Sequence, residues 1–105
     1  MDIAALVICV AGLMDLPAPR FPPAVIERTG EEVQELCQHS RQATRRRIFG
    51  CYNPVSRLIV VDGDRVYKHE TLRHEIAHDI DHQNGATWRH EDIYWVGRKA
   101  EVWCR

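Results

Sequence analysis

Hydrophobic positions in the middle of the chain predict a β-hairpin. Leu58 to Val61 is an uninterrupted run of branched aliphatic residues that ends at Asp62-Gly63, which is typical of a strand followed by a turn. Asn53-Pro54 supplies another turn just ahead of this run. The segment 47–64 is therefore predicted to form two antiparallel strands.

A different period follows the hairpin and predicts an amphipathic helix over about residues 70 to 83. Glu70 and Thr71 suit a first helical turn, and Asn84-Gly85 is a strong stop signal. The apolar residues between these limits recur at helical spacing and predict one buried face: Leu72, Ile76, Ala77 and Ile80.

Two further helices flank these elements. Thr29-Gly30-Glu31-Glu32 has the form of a capping box, which predicts a helix running to about Ala43. One side of this helix is apolar, so we expect it to pack on the sheet opposite the helix at 70–83. The segment from His90 to Trp103 can form another helix. The predicted fold class is α+β, with a small sheet or hairpin packed against these helices.

The N-terminal apolar run, Ile3 to Met14, has two interpretations. It is too short to span a bilayer, and Asp2 without any Lys or Arg beside it is unusual for a signal peptide, so a buried helix or strand competes with export. Four prolines make residues 16–23 an extended connector. We therefore divide the chain into an N-terminal segment and connector, residues 1–23, and a folded domain, residues 24–105. The poor signal favours a cytoplasmic protein over one exported with residues 1–18 as its signal.

The state of the cysteines depends on that choice. If the chain is cleaved near Ala18, Cys37, Cys51 and Cys104 remain, and Cys37 with Cys51 is a plausible disulfide. If it is not cleaved, four reduced thiols are expected. No C-x-x-C pair is present, which argues against a zinc site built from cysteines.

Charge gives little sign of a nucleic-acid partner. The 105 residues carry a formal net charge of −1, and one domain of ordinary composition is expected. A basic cluster at Arg41, Arg45, Arg46 and Arg47 has no aromatic residue among its members, so it is interpreted as a solvated helix end.

The predicted helix at 70–83 contains an H-E-x-x-H motif at His74-Glu75-Ile76-Ala77-His78. Residues four apart lie on one helical face with a rise of about 6 Å, so His74 and His78 can bind one metal ion. The same face lets Glu75 reach a water on that ion. This spacing predicts a zinc hydrolase. The alternative is a surface helix whose histidines and charges are solvated, but such a helix does not require this motif.

A catalytic zinc usually has three protein ligands and an open position, so a third ligand must follow. His90 is the first candidate, because the chain can turn back at Asn84-Gly85, and Glu91 or Asp92 then follows to orient its second ring nitrogen. Glu101, from a neighbouring helix, is the second. His82 ranks last of the three, because it lies about 12 Å along the helix from His74, which is too far for both to bind one ion together with His78.

This ligand set predicts the chemistry of a peptidase. Zinc on neutral imidazoles lowers the pKa of a bound water to about 7, and Glu75 would take the proton as the water attacks a peptide carbonyl. Tyr94 is a candidate donor to the oxyanion, with Tyr52 and Tyr67 as weaker ones, although core packing is the commoner use of such an aromatic.

The run from Thr71 to Gly85 resembles the active-site helix of small zincin-type metallopeptidases, in particular the SprT-like group. In that group a third His follows a glycine-containing loop and precedes an aromatic residue, which His90 and Tyr94 resemble, although Glu91 stands where the group has Gly. The resemblance covers roughly residues 48 to 104 and is specific at the H-E-x-x-H. It implies one zinc ion, a peptide or protein substrate, and a strand, here 58–61, whose edge binds the substrate backbone. The residues alone show only a strand, and the alternative is a sheet strand with no free edge.

Two other functions remain open. The domain can bind zinc without hydrolysis, or it can be an inactive zincin that serves as a protein-interaction module. Glu75 argues against both, because it is not a ligand and a purely structural site has no use for it.

Overall fold

A computed structural model describes residues 2–38 and 47–105 as four helices and three strands. The α+β class predicted from the sequence is confirmed. In chain order the elements are α1 (Ile3–Met14), β1 (Ala24–Arg28), α2 (Gly30–Leu36), β2 (Gly50–Asn53), β3 (Leu58–Asp62), α3 (Lys68–Gln83) and α4 (His90–Trp103).

The sheet has the order β1-β3-β2, with the predicted hairpin forming its antiparallel pair. Strand β1 adds to the other side of β3 in parallel, with Ala24 opposite Leu58. This corrects the expected role of the strand at 58–61: both of its edges are paired, so it has no free edge for a substrate. Among the residues that the structure describes, the outer edge of the sheet on the hairpin side belongs to β2.

Alternation along β3 divides the protein into two cores. Ile59 and Val61 point to the larger core, which α1, α3 and α4 complete. Val60 points to the opposite face and packs with Cys51 of β2 and with Val33 and Cys37 of the α2 segment. As expected, α2 covers the face of the sheet opposite α3.

The N-terminal apolar run is a helix that belongs to the larger core. Leu6, Val7 and Val10 of α1 are buried there, and Cys9 is disulfide-bonded to Cys104 just after α4. In the described part of the chain, none of the helices combines the length and apolar character that crossing a membrane requires.

Helix α2 is shorter than predicted. Its capping box at Thr29 and Glu32 is present, but the helix ends at Leu36 rather than near Ala43. Cys37 leaves helical geometry as the C-cap and is disulfide-bonded to Cys51, the pairing that the sequence suggested for a chain cleaved near Ala18. The four reduced thiols expected of an uncleaved chain are not observed, because Cys9 and Cys104 are bonded as well. Residues 39–46, which hold the rest of the predicted helix and most of the basic cluster, lie outside the described residues.

Helix α3 starts two residues earlier than predicted, at Lys68, and ends where the stop signal predicts. Gly85 has a φ of +60°, which glycine adopts without strain. Its N–H donates to the carbonyl of His82, and the next N–H, of Ala86, donates to that of Asp81. These bonds stop the helix sharply, so the chain reverses and α4 packs back against α3.

Candidate metal centre

The side chains of His74 and His78 converge at their Nε2 atoms. The Nε2 atoms of His74 and His78 are 3.1 Å apart, and both rings are half-buried on the face of α3 that looks away from the larger core. Four-residue spacing places the rings one above the other, as predicted from the sequence.

The chain reversal after α3 brings His90 to the same place. Its ring centroid lies 5.1 Å from that of His74 and 5.3 Å from that of His78. One ligand atom from each of the three residues lies within 4.8 Å of the other two. His90, the first residue of α4, is thus the third member of a histidine cluster that is compatible with metal binding.

The other two candidates for third ligand lie elsewhere. Glu101 is outside the histidine cluster and shares a hydrogen bond with Glu70, which is the first of the causes that raise its pKa. His82 is exposed, with its ring 6.4 Å from that of Tyr52.

Glu91 and Asp92 were expected to orient the ring of His90, but neither forms a hydrogen bond or ion pair with it. Both pair with Arg89 instead, Glu91 at 3.3 Å and Asp92 at 3.8 Å. Because these side chains are exposed, they add little to stability.

Glu75 is the buried acidic member of the site. Only 6% of its surface is exposed, and its Oε1 lies 4.0 Å from Nε2 of His74. Burial raises the pKa of Glu75 to about 8 in the metal-free protein. A cation at the histidine cluster would favour its ionised form.

Both motif histidines are held neutral. Burial, followed by the charges of neighbouring histidines, lowers the pKa of His74 to about 4 and that of His78 to about 4. Neutral imidazole is the form that binds a metal, so at neutral pH these two rings need not lose a proton first.

The histidine cluster lies in a cleft of about 590 Å³ between β2 and α4. One wall is formed by residues 48–52, and the other includes Tyr94 and Gly97 of α4. Strand β2 therefore borders the cleft from Gly50 to Tyr52. Among the described residues it pairs only with β3, so its outer edge is free.

The candidate oxyanion donors all line this cleft but differ in their contacts. The ring of Tyr94 lies 6.5 Å from that of His74. Tyr67 is largely exposed. The hydroxyl of Tyr52 already donates to Asp79 at 2.6 Å, so it is committed to that carboxylate.

Asp79, a buried carboxylate that was not predicted from the sequence, connects α3 to the hairpin. Asp79 is fully buried and accepts hydrogen bonds from Tyr52 and from two guanidinium nitrogens of Arg57, at 3.0 and 2.8 Å. Burial of the Tyr52 hydroxyl, followed by its hydrogen bond to Asp79 and the charge of that carboxylate, raises the pKa of Tyr52. A signal was available, because Asp79 falls within the apolar stripe of the helix, where a charge requires a partner.

A buried arginine fastens α3 to α4. The guanidinium of Arg73 donates to the carbonyl of Cys104 at 2.8 and 3.2 Å, at the end of α4. Midway along the contact Gly97 faces His74, where even a Cβ would lie in van der Waals contact, 3.4 Å from the Cα of His74. These contacts set the position of the helix that carries His90.

Comparisons with protein-family models, with curated proteins and with solved structures give no match to this chain.

Proposed function

We propose that this protein is a zinc-dependent metallopeptidase. The observation that carries the proposal is the convergence of His74, His78 and His90 beside the buried carboxylate of Glu75 in an open cleft. The resemblance of the run from Thr71 to Gly85 to SprT-like zincins is retained as part of the proposal.

The donor set fits zinc. Three imidazole nitrogens are a common catalytic zinc set, and tetrahedral ligands at about 2.0–2.1 Å from zinc are roughly 3.3 Å apart. The separation of 3.1 Å between the Nε2 atoms of His74 and His78 is close to this value. Within residues 2–38 and 47–105 the cluster has no fourth protein ligand, which favours a catalytic site over a closed structural one. When bound, zinc would act as a Lewis acid that lowers the pKa of a water and polarises a carbonyl.

Glu75 is assigned the role of general base. It follows His74 on α3, and its carboxylate lines the cleft beside the point where the histidine nitrogens converge. It would accept the proton of the attacking water and later donate that proton to the leaving amine. A structural metal site has no need for this residue.

The free edge of β2 is the proposed binding site for the substrate backbone. Asp62 N–H donates to the carbonyl of Phe49, so by alternation Gly50 and Tyr52 turn their own N–H and C=O groups outward. An extended peptide can add to these groups as a further strand. This places a peptide along the cleft wall and favours peptide bonds as the substrate.

The decisive experiment measures zinc content and hydrolysis on the same protein samples. We expect the substitutions His78→Ala and His90→Ala to lose zinc, and Glu101→Ala to keep it. Glu75→Gln should keep zinc and lose peptide hydrolysis. Retained zinc in His90→Ala would reject the ligand assignment, and hydrolysis by Glu75→Gln at the wild-type rate would remove Glu75 as the base.

The same measurements test the alternative function, a zinc-binding or inactive zincin-like interaction module. That alternative expects bound zinc in the wild-type protein and no hydrolysis of any peptide.

A further inference from the structure

Arg65 projects a guanidinium into the cleft from the loop that follows β3. Its Cζ lies 3.3 Å from the centroid of the Phe49 ring, and both residues line the cleft. Stacking on an aromatic face holds an arginine while leaving its donors directed to the side.

The charge of Arg65 is not neutralised within the described part of the chain. No carboxylate there lies within 4.0 Å of it, and its Nε is buried without a hydrogen-bond partner. The other arginine of the cleft differs, because Arg98 pairs with Glu70 at 3.3 Å. The two terminal nitrogens make no hydrogen bond to another described residue and are not buried, so they remain accessible from the cleft.

Arg65 lies to one side of the histidine cluster. Strand β2 and helix α3 run in the same direction, since Gly50 lies beside Thr71 and Tyr52 is bonded to Asp79. Arg65 and Phe49 precede α3 and β2 respectively, so they lie at the N-terminal end of both. A peptide along β2 would therefore meet Arg65 on only one side of its scissile bond.

We propose that Arg65 is a specificity-determining residue that binds a carboxylate of the substrate. The inference rests on the proposed peptidase function and names its substrate class as peptides with an acidic group on one side of the cleaved bond. A guanidinium forms two parallel hydrogen bonds with a carboxylate, and the two terminal nitrogens of Arg65 are the donors that a substrate in the cleft can reach. The carboxylate belongs either to an Asp or Glu side chain or to a free C-terminus.

The test measures peptide binding to the zinc-loaded Glu75→Gln protein by fluorescence anisotropy, so that turnover does not interfere. Peptides capped at both ends carry either Glu or Gln at one position, which is moved along the sequence. We expect the Glu peptide to bind about tenfold more tightly at positions on one side only. An uncapped peptide without acidic side chains shows whether a C-terminal carboxylate serves instead.

Three substitutions identify the residue responsible. In the Glu75→Gln background, Arg65→Glu should reverse the preference in favour of Lys peptides, and Arg65→Lys should weaken it because the planar fork is lost. Arg20→Ala is the matched control. Arg20 also lies over an aromatic ring, that of Phe21 at 5.4 Å, and it is not part of the cleft. The preference should survive in that variant.

The outcomes separate the two proposals. The role of Arg65 is overturned if Glu and Gln peptides bind equally at every position and a free C-terminus adds no affinity. It is also overturned if the preference for Glu persists in Arg65→Glu. Absence of peptide binding overturns it as well. Discrimination in the binding assay without hydrolysis by the zinc-loaded wild-type protein rejects the peptidase and leaves the carboxylate site standing.

Discussion

The side chain of Asp81 accepts a hydrogen bond of 3.0 Å from the backbone N–H of Trp88. Asp81 belongs to the last turn of α3, and Trp88 lies two residues before His90. This bond therefore closes the loop that returns His90 to the other two histidines. The indole of Trp88 packs against the larger core and holds the same loop from inside.

We predict that Asp81→Ala weakens zinc binding without removing any ligand. The lost bond is worth ~1 kcal/mol, which would appear in the zinc affinity to the extent that His90 becomes displaced. Competition with a chromophoric chelator measures the affinity. Asp81→Asn is the control, since its side-chain oxygen can still accept the bond, and we expect near wild-type affinity. Wild-type affinity in Asp81→Ala would show that the loop is positioned by other contacts.

This loop also explains why the sequence could rank the candidates for a third ligand but could not decide among them. The stop at Asn84-Gly85 permits a reversal, but the direction in which the chain returns depends on Asp81 and Trp88, which no periodicity reveals. The sequence also leaves Glu101 open as a ligand, because no local pattern shows that its carboxylate lies beside Glu70.

Local signals predicted the elements that have strong periodicity and clear ends, namely α3 and the β2–β3 hairpin. The features that were missed depend on contacts distant in sequence. Strand β1 is short and partly exposed, with two charged residues at its end, and it exists as a strand through pairing with β3. The disulfide between Cys9 and Cys104 joins residues 95 positions apart.

The metal-free protein should be most stable near pH 6.5. The pKa values of His74 and His78 fall from 6.5 to about 4 on folding, so their contribution is lost as the pH decreases from 6.5 towards 4. The pKa of Glu75 rises from 4.5 to about 8, so its contribution is lost as the pH increases towards 8. Urea unfolding with a chelator present, at pH values between 4 and 9, measures this profile.

Glu75→Gln separates the two halves of that profile. The neutral amide cannot ionise, so the decline between pH 6.5 and 8 should disappear while the acidic decline remains. A wild-type unfolding midpoint that is equal at pH 6.5 and pH 8 would contradict the buried state of Glu75 in the metal-free protein.

Gly50→Ala should destabilise the protein by about 1–3 kcal/mol. A Cβ at this position would lie 2.6 Å from the Cγ2 of Thr71 and 2.8 Å from the carbonyl oxygen of Val60, so β2 would have to move away from α3. Gly12→Ala is the control, because a Cβ there meets nothing within 4 Å and the position is in a helix. We expect that variant to gain up to about 1 kcal/mol. Thermal or urea unfolding compares the two, and equal effects would reject the steric explanation.

Asp79→Ala should cost about 3 kcal/mol or more in the free energy of unfolding, because it leaves Arg57 without its buried partner. Glu91→Ala is the control, since it breaks an exposed pair with Arg89 and should change stability by less than about 0.5 kcal/mol. The triple variant Tyr52→Phe, Arg57→Met, Asp79→Leu removes every charged or donor group of the cluster and should recover much of the loss. If the triple variant is no more stable than Asp79→Ala, the loss comes from packing around α3 rather than from an unpaired charge.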